Sequence, residues 1–189
     1  MLLHTKSIER ILRGTINKKI TTSLTPHKSM DIISHGIWGA TIVRRPKLLI
    51  PILLSGFLPD LISTATGFLY LQITQGINLT FSWSSLPVWS TALYGYSHGL
   101  IGLVIFSILI IIFARNYLIL IIPYAFHIFL DLFTHVSDPL ARIFYPFVKY
   151  SGDRLWGINW WEHPWTSIVS WTLLILINVG LFIYHKYKK

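Results

Sequence analysis

The sequence predicts an all-α integral membrane protein with about four to five transmembrane helices plus interfacial segments. Three observations carry that expectation. Hydrophobic residues make up 53% of the 189 and charged residues only 12%, against about 25% charged in an ordinary soluble domain. Long apolar runs recur along the chain, several of them near the roughly 20 residues a helix needs to cross a bilayer. The cations sit at the ends and in short loops: six of the sixteen Lys and Arg fall in residues 1–29, three more in 186–189, and none between Lys47 and Arg115. A nucleic-acid partner would call for a basic face on a folded domain, so the net charge of +9 is not read as one. The chain has no cysteine, which leaves His, Asp, Glu and water as the available metal ligands.

Residues 1–29 are basic and Ser/Thr-rich, with no long apolar run and hence no secretory signal. They read as an arm outside the helical domain of residues 30–189, either disordered or upstream of a native start at Met30. The first helix covers about Asp31 to Val43, short for a crossing, and carries His35. A second starts near Leu48 and reaches Pro59-Asp60, where the proline is expected to kink or end it. Residues 61–80 read as a short interfacial helix, and the Ser/Trp/Pro-rich residues 81–93 as a surface loop. A third helix runs from Tyr94 to Ala114 with His98 one turn inside; Arg115-Asn116 is a tight turn. A fourth runs from Tyr117 to His135. Residues 140–164 mix aromatics with charges and read as interfacial. Their Lys and Arg are expected to anchor the segment or to bind an anionic head group. A fifth helix covers Trp165 to Tyr184.

The positive-inside rule places Arg44, Arg45, Lys47, Arg115 and the C-terminal lysines on the cytoplasmic side. That arrangement gathers His35, Asp60, His98, His127, Asp131, His135 and His163 in one layer near the outer interface. The run HIFLDLFTH is its centre, because His127, Asp131 and His135 are spaced i, i+4, i+8 on one helix face. Each step rises about 6 Å and drifts by about 40°. One straight helix can therefore offer an adjacent pair to an ion but not all three, and the remaining ligands must come from other segments. Ionisable groups at membrane depth are costly and mark function. Neutral imidazole with carboxylate suits a divalent metal, zinc first, with manganese or iron as alternatives. The candidate metal ligands are His35, His98, His127, Asp131 and His135. Asp60 and Glu162 are the candidate catalytic acids.

These residues resemble a known family. The segments Ser34-His35-Gly36 with Gly39-Ala40, Leu58-Pro59-Asp60, Ser97-His98-Gly99-Leu100, and His127 with Asp131 and Thr134 fall in the order seen in inner-membrane proteins described as membrane-bound metal-dependent hydrolases. That family includes a LexA-binding member. The likeness covers about residues 30–150. It departs where Leu61-Ile62 replace a second acid after Pro-Asp, and where only Ser97-His98 remains of a longer third motif. The resemblance implies metal-dependent hydrolysis in a bacterial or archaeal plasma membrane and does not supply a substrate. A layer of ligands in the outer leaflet points to an ester or phosphoester of a lipid or lipid-linked substrate. The same cluster would also suit a transporter or a proton or metal-ion pathway, a bis-His haem protein, or a scaffold with a structural metal.

Overall fold

The structure is a computed structural model that describes residues 32–76, 85–134, 142–148 and 164–188. The basic arm, His135, Glu162 and His163 lie outside the described residues. Those described are helical, with no strand among them. Three helical stretches are long and apolar enough to cross a membrane: Pro46–Gln75, Arg115–Thr134 and Trp165–Tyr187. A bent pair adds a fourth if it is counted as one span.

Helix α1 (Ile32–Val43) is the short first helix expected from the sequence. Its small residues let it wedge between two neighbours. A Cβ on Gly56 would lie 2.9 Å from the Cα of Gly36, and one on Gly39 would lie 2.8 Å from Pro123. Both contacts are closer than a side chain tolerates, so the glycines set the spacing of α1 against α2 (Leu49–Asp60) and against α6 (Ile121–Thr134).

Of the two outcomes expected at Pro59, a kink or an end, the helix does not end there. A one-turn 3₁₀ segment (Pro46–Leu48), α2, a π-helical segment (Leu61–Ala65) and α3 (Thr66–Gln75) run on as one 30-residue element. Proline removes one backbone donor and crowds the preceding turn; the wider π turn directly after it accommodates this. The Pro59 carbonyl is taken up from the side by Ser63 Oγ at 2.8 Å and Ser97 Oγ at 3.0 Å. The element stops at Gly76, whose φ of +84° suits glycine. Asp60 therefore sits midway along this 30-residue element.

Residues 88–93 are not loop. Pro87 precedes α4 (Val88–Ser97), which leads into α5 (Leu100–Phe113) through a 68° bend. His98 and Gly99 form that bend, so His98 lies at a helix end and not one turn inside. Gly99 is needed there because a Cβ would meet the carbonyl oxygens of Ile143 and Arg142 at 3.0 and 3.1 Å. Residues 115–120 form a 3₁₀ segment leading into α6. The last helix, α7 (Pro164–Tyr187), is mostly exposed. It is pinned to α1 by Trp38 Nε1–H to Ser170 Oγ at 3.0 Å and by Asn178 Nδ2–H to Thr41 Oγ1 at 2.9 Å.

The apolar core is small: Ile52, Ile110 and Leu120, with Ala40, Val43, Leu48 and Phe106 packed around them. Leu120 and His127 are seven residues apart, about 10 Å along a helix. The polar cluster thus lies about two turns above the apolar plug, enclosed by α1, α2, α4 and α6.

Candidate metal centre

His35 on α1, Asp60 at the end of α2, His98 at the α4–α5 bend, and His127 and Asp131 on α6 are all buried. Five of the seven residues expected from the sequence to bind metal or act in catalysis therefore converge. His135 and Glu162 fall outside the described residues. Each residue arrives by a local cause. The i, i+4 spacing puts His127 and Asp131 on one face, with Nε2 and Oδ2 3.6 Å apart. The helix bend turns His98 inward, and the glycine contact between α1 and α2 brings His35 within reach.

The imidazoles are oriented by what their Nδ1 atoms touch. His127 Nδ1 is 2.7 Å from the carbonyl oxygen of Gly56. A carbonyl only accepts, so Nδ1 carries the proton and Nε2 carries the lone pair. His98 Nδ1 is 3.1 Å from the Tyr94 carbonyl and 2.9 Å from Ser97 Oγ. Ser97 Oγ also reaches the Pro59 carbonyl; in the tautomer in which Nδ1 donates, Nε2 keeps its lone pair, and in the other Nε2 donates to Asp60 Oδ1. Both Nε2 atoms face carboxylates. His98 Nε2 lies 3.3 Å from Asp60 Oδ1 and 3.4 Å from Asp131 Oδ2. His127 Nε2 lies 3.8 Å from Asp60 Oδ2, and His35 Nε2 lies 3.3 Å from Asp131 Oδ1.

Lone pairs aimed at carboxylates repel unless a proton or a cation stands between them; His98 Nε2 and Asp60 Oδ1, at 3.3 Å, are within hydrogen-bond distance. A hydrogen-bonded brace at His127 would need an imidazolium, yet 3.6 and 3.8 Å are too long for His127 Nε2 to donate to either acid. His35 Nε2, His127 Nε2 and Asp60 Oδ2 are buried without a hydrogen-bond partner, a costly state that a metal ion relieves. The spacing fits as well: donor atoms about 2.1 Å from a four-coordinate zinc stand about 3.4 Å apart. Two sets of three donors lie within 4.8 Å of one another, His35 with His127 and Asp131, and Asp60 with His98 and His127. The residues present thus fit a divalent metal.

Two further residues belong to the site. Arg142, expected to anchor an interfacial segment or to bind an anionic head group, reaches into the cluster. Its side chain is buried, with Nη2 2.6 Å from Asp131 Oδ2 and Nη1 3.2 Å from the Asp131 carbonyl. Nη2 also donates to the Tyr94 hydroxyl. Burial alone would lower the arginine pKa, but the Tyr94 oxygen and the two carboxylates outweigh it and hold the pKa above its ordinary value. Tyr94 stacks on His98 with ring centroids 3.8 Å apart. The i, i+4 spacing of Tyr94 and His98 on one helix was a usable signal for this. Arg142 had none, because it lies eleven residues from Asp131, a spacing that no helix or strand period links.

No protein-family model, curated protein or solved structure matches this chain.

Proposed function

We propose that this chain is a membrane-embedded, metal-dependent hydrolase acting on an ester or phosphoester of a lipid or lipid-linked substrate. One observation carries the proposal: two buried imidazoles set their Nδ1 atoms against backbone carbonyls, so that both Nε2 atoms converge on two carboxylates. This is the outer-shell arrangement that orients histidine ligands in metal sites. His35, His127 and Asp131, one of the two sets whose donor atoms lie within 4.8 Å of one another, would hold the ion, with His98 Nε2, 3.4 Å from Asp131 Oδ2, beside them. When bound, a divalent metal acidifies water and polarises a carbonyl or phosphoryl oxygen.

The two aspartates divide the remaining work. Asp131 accepts one N–H of Arg142 at Oδ2 and a second at its backbone carbonyl, which fixes the direction of its carboxylate. Asp60 Oδ2 has no hydrogen-bond partner, so Asp60 is the carboxylate placed to take a proton from the attacking water. As the water oxygen bonds to the acyl carbon or phosphorus, the ester bond to the alcohol oxygen breaks. Asp60 then returns the proton to that oxygen. The apolar side chains left exposed on α5 and α7, such as Ile105, Ile112, Ile168 and Phe182, suit contact with acyl chains, and this supports a bilayer setting. The resemblance to membrane-bound metal-dependent hydrolases agrees with this assignment.

The test is metal analysis of protein extracted in detergent, followed by hydrolysis of phosphodiester and carboxyl-ester lipids with and without chelator. Copurifying zinc or manganese with chelator-sensitive hydrolysis is expected. Protein that binds no divalent metal, or hydrolysis indifferent to its removal, overturns the proposal.

A further inference from the structure

We infer that the centre takes one metal ion only, that Arg142 supplies the second positive charge, and that the site therefore selects substrates with an anionic oxygen, phosphoesters over carboxyl esters. The inference rests on the metal-site reading above and adds stoichiometry and substrate charge to it.

Two donor sets could suggest two ions, but they share His127. Its Nε2 is the free nitrogen, since Nδ1 is bonded to Gly56. A single lone pair serves one ion at a time. Charge leads to the same conclusion. Among the described residues, the buried charges of the cluster are Asp60, Asp131 and Arg142. Ligand imidazoles are neutral. Two carboxylates and one guanidinium leave one negative charge, which one divalent ion turns into one positive charge. A second divalent ion would raise the enclosed charge to three positive, without further carboxylates among the described residues to offset it, at high cost in a buried site.

Arg142 also occupies the place that a second ion would use. In a two-ion site a carboxylate bridges, one oxygen to each metal. Here Asp131 Oδ1 faces His35, while Oδ2 receives Arg142 Nη2 at 2.6 Å. The guanidinium keeps a buried N–H at Nε with no hydrogen-bond partner. Arginine binds phosphoryl oxygens through such N–H groups. The one positive charge left after metal binding matches the single negative charge of a phosphodiester; a neutral carboxyl ester brings no charge to balance it.

The test uses full-length protein in detergent, stripped and titrated with cobalt(II) while its visible d–d absorption is followed. Inorganic phosphate is then added to the cobalt-loaded protein. The expected results are saturation at one cobalt per chain and a phosphate-dependent change in the spectrum. In Arg142→Gln, cobalt stoichiometry should stay at one, and phosphate affinity should fall on the order of tenfold or more. Arg142→Lys should keep most of that affinity. Two cobalt ions per wild-type chain would overturn the inference and leave the hydrolase proposal standing, as would phosphate affinity unchanged in Arg142→Gln. No cobalt binding at all would overturn both. If Arg142→Gln fails to fold, wild-type stoichiometry and the phosphate response of Arg142→Lys still decide. A lysine variant that binds phosphate as the parent does supports the charge role, and a wild-type spectrum indifferent to phosphate rejects it.

Discussion

His127 and Gly56 meet through a 2.7 Å hydrogen bond from Nδ1–H to the backbone carbonyl. This bond fixes which nitrogen of His127 faces the carboxylates. Because Gly56 is also where α2 presses on α1, at 2.9 Å from an added Cβ to the Gly36 Cα, helix packing and ligand orientation depend on the same residue.

Gly56→Ala is accordingly expected to cost about 1–3 kcal/mol, the usual range for overpacking, and to lower metal content per folded chain. The atom it meets is backbone, so no rotamer change relieves it. Thermal unfolding together with metal analysis checks both effects; an alanine variant with the parent's stability and metal content would contradict the packing described.

Asp131→Asn keeps the side-chain shape but removes the charge facing His35, His98 and Arg142. Metal affinity should fall by about 10–100-fold or more, the range for losing an orienting partner. Leu132→Ala, a half-buried neighbour off the ligand face, should cost packing energy and keep the metal. Metal per folded protein separates the two. Equal content in Asp131→Asn and the parent would make the cluster a brace and not a metal centre.

For Asp60→Asn the opposite split is expected. Turnover should drop by about 10²–10⁴-fold, the contribution of a general base, while metal content stays near the parent's. If metal is lost in step with activity, Asp60 is a ligand and the proton has another acceptor.

Tyr124 donates its hydroxyl to the Ser97 carbonyl at 2.8 Å, inside the bend that carries His98. Tyr124→Phe should destabilise the fold by about 1–3 kcal/mol, because it leaves that buried carbonyl without this donor. Metal stoichiometry should be unchanged, since the hydroxyl touches no proposed ligand. Calorimetry alongside metal analysis would show it.

A reporter inserted after Gly76 should read as extracytoplasmic and one at the C-terminus as cytoplasmic, given the cation-free stretch from Lys47 to Arg115. The reverse pattern would invert the orientation assigned from charge.

Much of the centre was legible because its residue types are costly in apolar surroundings: His98, His127 and Asp131 stand out from Leu, Ile and Phe neighbours. The helix carrying His127 and Asp131 was also legible, since periodicity survives a short preceding 3₁₀ segment. Pro59 misled because proline is a local breaker, whereas the hydroxyls that accept it into a continuous helix come from Ser63 and from Ser97, 38 residues away. Residues 88–93 read as loop because they close the Ser/Trp/Pro-rich stretch 81–93, but tertiary packing against the π segment, with Ser90 Oγ donating to the Ser63 carbonyl, overrides that weak propensity. Arg142 was hidden for a related reason: its partner Asp131 lies eleven residues away, a spacing that no local pattern records.

The π segment at Leu61–Ala65 lets two faces of one rod be set separately. One extra residue in a turn rotates everything beyond it by about 100°. Upstream, Asp60 keeps its aim at His98. Downstream, Gly67 is turned against Ser90, where a Cβ would lie 2.7 Å from the serine Cβ. Deleting a single residue between positions 61 and 65 would bring the two halves into phase as a plain α-helix and swing Gly67 away from Ser90, so that a bulkier side chain would press on α4, while Asp60 stayed where it is. The half of the rod that carries Asp60 would thus persist while α4, which delivers His98, lost its seat.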